Sequence, residues 1–272
     1  MRQFRLTSIA TFILLLVSST FATSEGGGFQ PLPSFWAMLF GHDGPLHHII
    51  DIVYALATST LFATLAIKVY RSRQMIPGKL QNLMEIFVEA LYNFIKSILG
   101  DDAKKYTPFL GTLFFYILIN NLWGIIPGGH SPSTNINVTA SLAIMVFLYS
   151  QYTGITRLGI VGFVDHLAGQ PRNLIGWLLL PLLLPIHIIG ELAKPFSLAV
   201  RLFSNITSED VLVAAFVGLG LTALSFMHSP VGLPLNVPFI LLGLMVSTIQ
   251  ALVFTLLSTI YILLMLPHEE GH

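Results

Sequence analysis

Long apolar runs separated by short polar segments dominate the hydrophobic pattern of the chain. They cover residues 49–70, 108–126, 137–155, 173–224 and 237–266. A membrane-spanning helix needs about 20 apolar residues, because the hydrocarbon core of a bilayer is about 30 Å thick. The pattern therefore predicts an all-α integral membrane protein that crosses the membrane several times.

The last two runs are longer than one upright crossing requires. Residues 173–224 and 237–266 flank a turn at 225–236 that contains His228. Helices of this length must tilt strongly or lie partly in the membrane plane. We expect a long, strongly tilted helical hairpin at residues 173–266. Three prolines are expected to bend its first arm: Pro181, Pro185 and Pro195.

Residues 80–99 show a different pattern, in which one face of a helix is apolar. That face contains Leu80, Leu83, Met84, Phe87, Val88, Leu91, Ile95 and Ile98. The opposite face contains Glu85, Glu89, Asn93 and Lys96. A helix with two such faces lies on a membrane surface or against a partner. We therefore predict one surface amphipathic helix.

The N-terminal segment has the features of a secretory signal peptide. Residues 1–23 contain two arginines, then an apolar run too short to span a bilayer, then small residues. Cleavage near Ala22 is favoured over retention of this segment as an extra helix. Residues 24–48, rich in Gly and Pro, are expected to form an exposed linker. Residues 49–272 then form the membrane domain.

Composition supports the membrane assignment and excludes other classes. The 272 residues are 54% hydrophobic and 10% charged, whereas a soluble domain carries about 25% charged residues. Thirteen basic and thirteen acidic residues leave no electrostatic case for a nucleic-acid partner. The absence of cysteine excludes disulfide scaffolds, thiolate zinc sites and cysteine nucleophiles.

The distribution of Lys and Arg between the links predicts the orientation of the chain. Nine basic residues lie in links on one side: Lys68, Arg71, Arg73, Lys79, Lys96, Lys104, Lys105, Arg157 and Arg172. The links on the other side, residues 30–48 and 127–136, contain none. Because basic loops stay in the cytoplasm, we expect the mature N-terminus outside and the C-terminus in the cytoplasm.

Two histidine patterns match metal-binding arrangements but have simpler explanations. Residues 268–272 match the H-E-x-x-H motif of zinc peptidases, which needs both histidines on one face of a stable helix. A solvated tail is favoured there. His42, His47, His48 and Asp51 form a second group, for which a loop cluster near the membrane interface is favoured. We predict no metal and no other cofactor.

Charged residues concentrate in one part of the apolar hairpin. Residues 173–190 and 211–267 contain none, and between them lie Glu191, Lys194, Arg201, Glu209 and Asp210. A charge at mid-membrane costs at least about 2.5–3.5 kcal/mol. This concentration therefore needs a functional or structural reason.

A polar stripe runs through the same segment. Four of its residues share one helix face: Ser197, Arg201, Asn205 and Ser208. The second arm carries Gln250, Ser258 and Tyr261. A charged stripe on a membrane helix must face protein or a water-filled cavity. The alternative is an ion pair between Arg201 and Glu209 or Asp210, although Asp210 lies about 180° around the helix from Arg201.

Two longer motifs connect these residues to a known family. The first is Lys194-Pro195-x-Ser197-Leu198-x-x-Arg201-Leu202-Phe203-x-Asn205, followed by Gln250-Ala251-x-x-Phe254 and Tyr261. The second is Asn121-Leu122 with Ile126-Pro127-Gly128, followed by Pro132 and Asn135-Ile136-Asn137-Val138-Thr139. In order and spacing, the chain from about residue 51 to its C-terminus resembles subunit a of F-type ATP synthases.

The resemblance implies a function. Subunit a is a stator that packs its tilted hairpin against the ring of c subunits and offers protons two offset aqueous half-channels. Arg201 matches the essential arginine of the family, and Asn205 and Gln250 match its asparagine and glutamine. Asp210 takes the place of an outer half-channel residue. The implied partners are the c-subunit ring, peripheral-stalk b subunits and the F1 ATPase sector, in a bacterial plasma (inner) membrane.

The chain departs from the family pattern at several positions. His187 stands where many members have Glu, and Glu191 lies one turn later on the same face. Ser204 replaces the usual Gly, and Gly243 stands where some relatives have a second ionisable residue. The resemblance therefore leaves undecided whether His187 or Glu191 forms the cytoplasmic proton path. Ser197 and Tyr261 are further candidates for the path.

Two other functions are weaker explanations. A self-contained secondary transporter driven by protons or sodium usually has inverted repeats, and no repeat relates the halves of this sequence. An intramembrane hydrolase lacks a nucleophile–base pair here. The chain also has no phosphate-binding loop. We therefore expect a non-catalytic subunit whose partners carry the ATP chemistry.

Overall fold

Six α-helices form the part of the chain that the structure describes. This computed structural model describes residues 47–71, 78–126, 129, 131–167, 174–225 and 235–266. The helices are α1 His47–Arg71, α2 Lys79–Leu99, α3 Ala103–Ile125, α4 Ile136–Leu167, α5 Leu174–Ser225 and α6 Val237–Leu264. Two short 3₁₀ turns, Gly100–Asp102 and Pro132–Thr134, precede α3 and α4. These residues contain no strand, and the predicted all-α class is confirmed.

Several predicted features fall outside the described residues. They are the leader at 1–23, the linker up to residue 46, His228 with most of the hairpin turn, and the tail at 268–272. The side chains of His42, His47, His48 and Asp51 are outside as well. The division into leader, linker and membrane domain therefore stays a prediction.

The surface of the helices is apolar, as expected for a chain that crosses a membrane. Four stretches of the described residues are long and apolar enough to do so: Ile52–Arg71, Gln81–Ile125, Ile136–Asp165 and Val237–Leu264. Val161, Phe196 and Ile189 are large apolar residues that are 85%, 71% and 67% exposed. Soluble proteins rarely expose extended apolar surfaces. The predicted multi-pass membrane architecture is confirmed.

The helices pack into one bundle around an aromatic and aliphatic core. The most extensive contacts join α4 to α5 and α3 to α6, and α2 also packs on α3. Tyr106, Phe109 and Phe254 are among the largest side chains that are fully buried. The ring of Phe109 stacks on Tyr149 with centroids 4.0 Å apart. The core thus holds α6, the second arm of the hairpin, against α3.

The amphipathic helix α2 uses only part of its apolar face inside the protein. Leu91, Ile95 and Leu99, in its second half, are buried in the core. Leu83 and Phe87, in its first half, are about half exposed, at 51% and 49%. The predicted amphipathic helix is therefore confirmed, and its first half presents apolar side chains outward.

Helix α4 extends beyond its predicted end. The apolar run ends at residue 155, whereas helical structure continues to residue 167 across a kink at Gly159, where φ is +73°. Glycine adopts this conformation without the steric penalty that a side chain causes. Beyond the kink, the chain brings Phe163 back toward Gly154. A methyl group on Gly154 would lie 3.1 Å from Cδ2 of Phe163. Hydropathy detects the apolar run but not this backbone reversal.

Helix α5 is the longest element, with 52 residues. At ~1.5 Å per residue it extends about 78 Å, far more than the ~30 Å of a hydrocarbon core. It stays helical through Pro181, Pro185 and Pro195, so the bend expected at these prolines stays a prediction. A helix of this length supports the tilted hairpin.

A buried hydrogen-bond network attaches α1 to α3. The hydroxyl group of Thr58 donates to Oδ1 of Asn120 at 2.7 Å and accepts from Nε1 of Trp123 at 2.9 Å. Thr58 and Asn120 are both 0% exposed. Tyr54 adds an edge-on ring contact with Trp123, with centroids 5.6 Å apart. One hydroxyl group therefore satisfies two polar groups of the neighbouring helix.

Replacing Thr58 with Val should destabilise the bundle. Thr58→Val keeps the shape of the side chain but leaves the buried Oδ1 of Asn120 and the partly buried Nε1 of Trp123 unpaired, which costs about 1–2 kcal/mol of unfolding free energy. Thr60→Val is the matched control, because exposed Thr60 bonds only to the carbonyl oxygen of Leu56 in its own helix. Denaturant unfolding of the purified protein in detergent measures both. Equal stability of the two variants would contradict a role of this network.

Candidate functional site

Three polar contacts between α5 and α6 define the candidate site. Glu209 pairs with Ser247, Asn205 with Gln250, and Lys194 with Tyr261. Residue numbers fall along α5 while they rise along α6, so the two helices are antiparallel. Leu198, Leu202 and Ile206 of α5 are buried beside these contacts. The polar groups form one line along an otherwise apolar interface.

Arg201 lies on the exposed face of α5, within this line. Its side chain is exposed and makes no ion pair with any residue in the described ranges. Ser197 and Ser204, one turn before it and nearly one turn after it, are exposed as well. The alternative of an ion pair with Glu209 or Asp210 is therefore not observed. A permanent positive charge remains open to approach, with small side chains on both sides.

Asn205 and Gln250 connect the two arms of the hairpin. Nδ2 of Asn205 donates a hydrogen bond to Oε1 of Gln250 at 2.7 Å. Gln250 is only 3% exposed, and its Nε2 has no hydrogen-bond partner among the described residues. A buried amide donor without a partner is available to a water molecule or to an incoming acceptor. This donor belongs to the residue that bonds Asn205, one turn from Arg201.

Glu209 occupies the next contact along the interface. Its Oε2 accepts a hydrogen bond from Oγ of Ser247 at 3.3 Å. The side chain lies against Gly243, where a methyl group would come within 2.7 Å of Cδ. Both Ser247 and Gly243 are buried in α6. The carboxyl group of Glu209 therefore points into the hairpin.

Asp210 lies beside the link between α3 and α4. A methyl group on Gly124, near the end of α3, would lie 3.5 Å from Oδ1 of Asp210 and 3.1 Å from Cβ of Ser131. Ser131 is fully buried and begins the Pro132–Thr134 turn. The two adjacent acids thus face different neighbours, Asp210 the α3–α4 link and Glu209 helix α6.

A second cluster lies toward the other end of the hairpin. Glu191 forms an ion pair with Lys194 and accepts a hydrogen bond from Nε2 of Gln151 in α4 at 3.1 Å. Nζ of Lys194 lies 5.6 Å from the ring centroid of Tyr261, within the range of a cation–π contact. This cluster joins α4, α5 and α6, with its carboxylate neutralised by a neighbouring cation.

The structure brings together some of the residues selected from the sequence and leaves others apart. Asn205 contacts Gln250, and Glu191 is linked through Lys194 to Tyr261. His187, Ser197 and Arg201 are exposed on α5. The sequence did not single out Gln151, whose place beside Glu191 depends on the packing of α4. Glu209 was considered only as an ion-pair partner, although its position in the apolar hairpin already marked it as unusual.

The arrangement is suited to moving protons rather than to covalent chemistry. Within the described residues, no three His, Asp or Glu side chains are grouped to hold a metal ion. Carboxyl, hydroxyl and amide groups instead follow one another along the hairpin on both sides of a fixed guanidinium group. Carboxyl groups can bind and release protons, whereas arginine cannot be deprotonated in proteins.

Comparison with known proteins gives a consistent result. A sequence model of the family "ATP synthase A chain" matches residues 52–263. The ATP synthase subunit a of Protochlamydia amoebophila is 46% identical over 226 residues, which cover 83% of each chain. That of Oleidesulfovibrio alaskensis is 39% identical over 198 residues, 72% of this chain and 77% of the relative. ATP synthase subunit a 3 of Pelobacter propionicus is 38% identical over 221 residues, 81% of this chain and 88% of the relative.

Proposed function

The chain belongs to the ATP synthase A chain family, and we propose that it is the proton-conducting stator of an F-type ATP synthase. It packs its hairpin against a ring of c subunits and provides two offset half-channels. Proton passage through them drives rotation, and the F1 sector makes ATP. Peripheral-stalk b subunits hold the stator in place. This chain binds no nucleotide and catalyses no covalent step.

The observation that carries the proposal is the unneutralised Arg201. Its guanidinium group is exposed on a membrane helix, with no ion-pair partner in the described parts of the chain. A charge in the membrane is expensive unless it meets protein, water or an opposite charge. Ser197 and Ser204 leave room for an acidic side chain of another subunit. A carboxylate on a rotating ring has the required charge and can approach from outside.

Arg201 has two roles in the proposed mechanism. It holds each arriving ring carboxylate in its ionised form, because a neighbouring positive charge favours the charged state. It also separates the half-channels, since a group that cannot lose its proton does not relay one. Protons therefore cross the membrane only while bound to the carboxyl groups of the ring. The exchange of one carboxylate for the next lets the ring turn past the stator.

The outer half-channel is proposed to end beside Asn205 and Gln250. Asp210 lies next to the α3–α4 link, which the Lys and Arg distribution predicts to lie outside the cell. Asn205 and Gln250 follow toward Arg201, and the unpartnered Nε2 of Gln250 can orient a water molecule. These groups offer a polar route from the outer surface to the ring.

The cytoplasmic half-channel is proposed to pass His187, Glu191 and Tyr261. Glu191 is fixed by Lys194 and Gln151, which suits a group that orients water molecules. His187 is exposed on the same face of α5 as Arg201, and an imidazole ring has both a donor and an acceptor nitrogen. Within this pair, we propose that His187 relays protons and that Glu191 keeps the route polar.

Removing the arginine should abolish coupled proton transport. In Arg201→Ala the ring carboxylate loses its cation and stays protonated in a low-dielectric environment, and the barrier between the half-channels is lost. We expect ATP synthesis and ATP-driven pumping to fall to background, while the complex assembles in normal amounts. Inverted membrane vesicles report both activities. Arg71→Ala, which removes an exposed arginine at the end of α1, is the matched control and should pump normally.

Arg201→Lys separates this mechanism from a purely structural role. An ammonium group lacks the planar guanidinium that can hold one carboxylate while another approaches, so this variant should also fail. A structural arginine would give the opposite pattern, with poor assembly of Arg201→Ala and partial rescue by Lys. Normal pumping by either variant, at normal assembly, would remove Arg201 from the mechanism.

Orientation can be tested by labelling single cysteines in this cysteine-free chain. Ile136 is 46% exposed at the start of α4, and Lys104 is exposed at the start of α3. Ile136→Cys should react with a membrane-impermeant maleimide from outside, and Lys104→Cys only from the cytoplasmic side. Ser133 is unsuitable because it is fully buried. The reverse labelling pattern would contradict the proposed orientation.

Asp210 should contribute to proton entry from outside. Asp210→Asn keeps the size of the side chain but cannot carry a proton, so proton flux should fall several-fold at constant assembly. Lowering the external pH should not restore it, because the substituted amide has no carboxylate left to protonate. Pumping rates equal to wild type, measured per assembled complex, would count against this role.

A further inference from the structure

Residues 160–167 form a return segment that follows the kink in α4. The backbone at Gly159 has φ +73° and ψ 169°, a combination that essentially only glycine adopts. A methyl group on Gly154 would lie 3.1 Å from Cδ2 of Phe163 and 3.1 Å from Sδ of Met265, just after α6. Residues nine positions apart in a straight helix are separated by about 13.5 Å along its axis. The return segment therefore packs back on α4, beside the end of α6.

The kink lies where α4 has already crossed the thickness of a bilayer. From Ile136 to Arg157 the helix rises about 32 Å, compared with about 30 Å for a hydrocarbon core. Arg157 forms an ion pair with Asp102, and its Nε donates a hydrogen bond to the hydroxyl group of Tyr106 at 3.4 Å. These contacts attach the end of the crossing to the start of α3. The return segment therefore begins at the level of the membrane surface.

Three apolar side chains of the return segment point away from the protein. Val161 is 85% exposed, Ile160 74% and Val164 57%, and the first two are the most exposed large apolar side chains among the described residues. They share one face of the short helix, because residues three and four positions apart lie on the same side. Asp165 is also exposed, and the cost of a charge in hydrocarbon keeps it at headgroup level. This face suits the boundary between lipid headgroups and acyl chains.

Positive charges lie beside the same region. Lys104 and Lys105 are exposed at the start of α3. Nζ of Lys105 lies 5.3 Å from the ring centroid of Tyr106, whose hydroxyl group contacts Arg157. The cytoplasmic leaflet has a negative surface potential that attracts basic residues near the membrane. Charge complementarity therefore favours anionic phospholipid headgroups as the neighbours of the return segment.

We infer that the return segment is an interfacial anchor, which inserts Ile160, Val161 and Val164 among the lipids of the cytoplasmic leaflet. The reversal at Gly159 places it there. The anchor fixes the membrane depth of the connection to α5, since α4 ends at Leu167 and α5 begins at Leu174. This inference goes beyond proton conduction. Only the choice of leaflet rests on the orientation proposed above, whose failure would appear as reversed maleimide labelling.

The first test measures the depth of Val161 in the complete complex. A bimane fluorophore is attached to Val161→Cys, and the complex is placed in vesicles containing phospholipids with a nitroxide near the headgroup or near the acyl-chain end. Quenching by the shallow nitroxide should be at least about twofold stronger than quenching by the deep one, since an interfacial helix is buried only about 5–10 Å. Iodide in the water should quench weakly. The complex without the added cysteine gives the background.

Asp101→Cys is the matched control at the same end of the bundle. Asp101 is exposed in the short turn before α3 and has an ionised side chain rather than an apolar one. A label there should be quenched strongly by iodide and weakly by both nitroxide lipids.

The second test removes the reversal. A methyl group on Gly159 meets no atom within 4 Å, so Gly159→Ala acts through backbone strain alone. Alanine favours continuation of α4 into the cytoplasm. Lipid quenching of a label at position 161 should then fall to the level of the Asp101→Cys control. Gly111→Ala, whose methyl group would make an ordinary 3.5 Å contact with Cδ2 of Leu91, should leave the quenching unchanged.

Four results would overturn the inference. Stronger quenching by iodide than by either lipid would place the segment in water, and protection from all three quenchers would show that another subunit covers it. Stronger quenching by the deep nitroxide would place it inside the hydrocarbon core. Unchanged quenching in Gly159→Ala would remove the reversal as the cause of its position. Ile160→Cys repeats every measurement and decides the question if Val161→Cys does not assemble.

Discussion

A permanent charge on a membrane helix has to be compensated by an opposite charge, by water or by polar protein groups. The described neighbours of Arg201 supply no opposite charge. Arg201 is exposed, and within the described residues it has no ion-pair partner. In water such a side chain would be unremarkable, but in a bilayer it costs several kcal/mol. This cost explains why polar side chains surround Arg201: a serine on either side and a pair of hydrogen-bonded amides one turn away. In the proposed mechanism, they keep a polar surface open for an anion that another subunit supplies.

The acidic residues at the two ends of the hairpin have different partners. Toward one end, Glu191 is held by Lys194 and Gln151. Toward the other end, Glu209 has only a hydroxyl partner. A group fixed in one charge state shapes the electrostatic field around it, whereas a group free to change state can exchange protons with water. The guanidinium group between them has one charge state only. In the proposed mechanism, this asymmetry gives the two half-channels different chemistry on either side of Arg201.

Much of the fold follows from the sequence because each helix that spans a bilayer needs about 20 consecutive apolar residues. Apolar runs predicted the spanning helices within a few residues, and the polar stripe predicted which face of α5 carries Arg201. Hydropathy did not predict the continuation of α4 through Gly159, because a backbone reversal leaves no trace in the apolar pattern. The setting of Glu209 was also missed. It depends on Gly243 and Ser247, which only packing brings opposite to it.

The hydrogen bond between Asn205 and Gln250 also has a mechanical consequence. In the proposed mechanism, a ring that turns against α5 pushes sideways on the helix that carries Arg201, and the stator has to resist this force. The bond passes this load from α5 to α6, and the close packing of α6 on α3 passes it into the aromatic core. Close-packed interiors have low compressibility and transmit strain. In the proposed motor, the stiffness of the stator therefore depends partly on the hydrogen bond between these two amides.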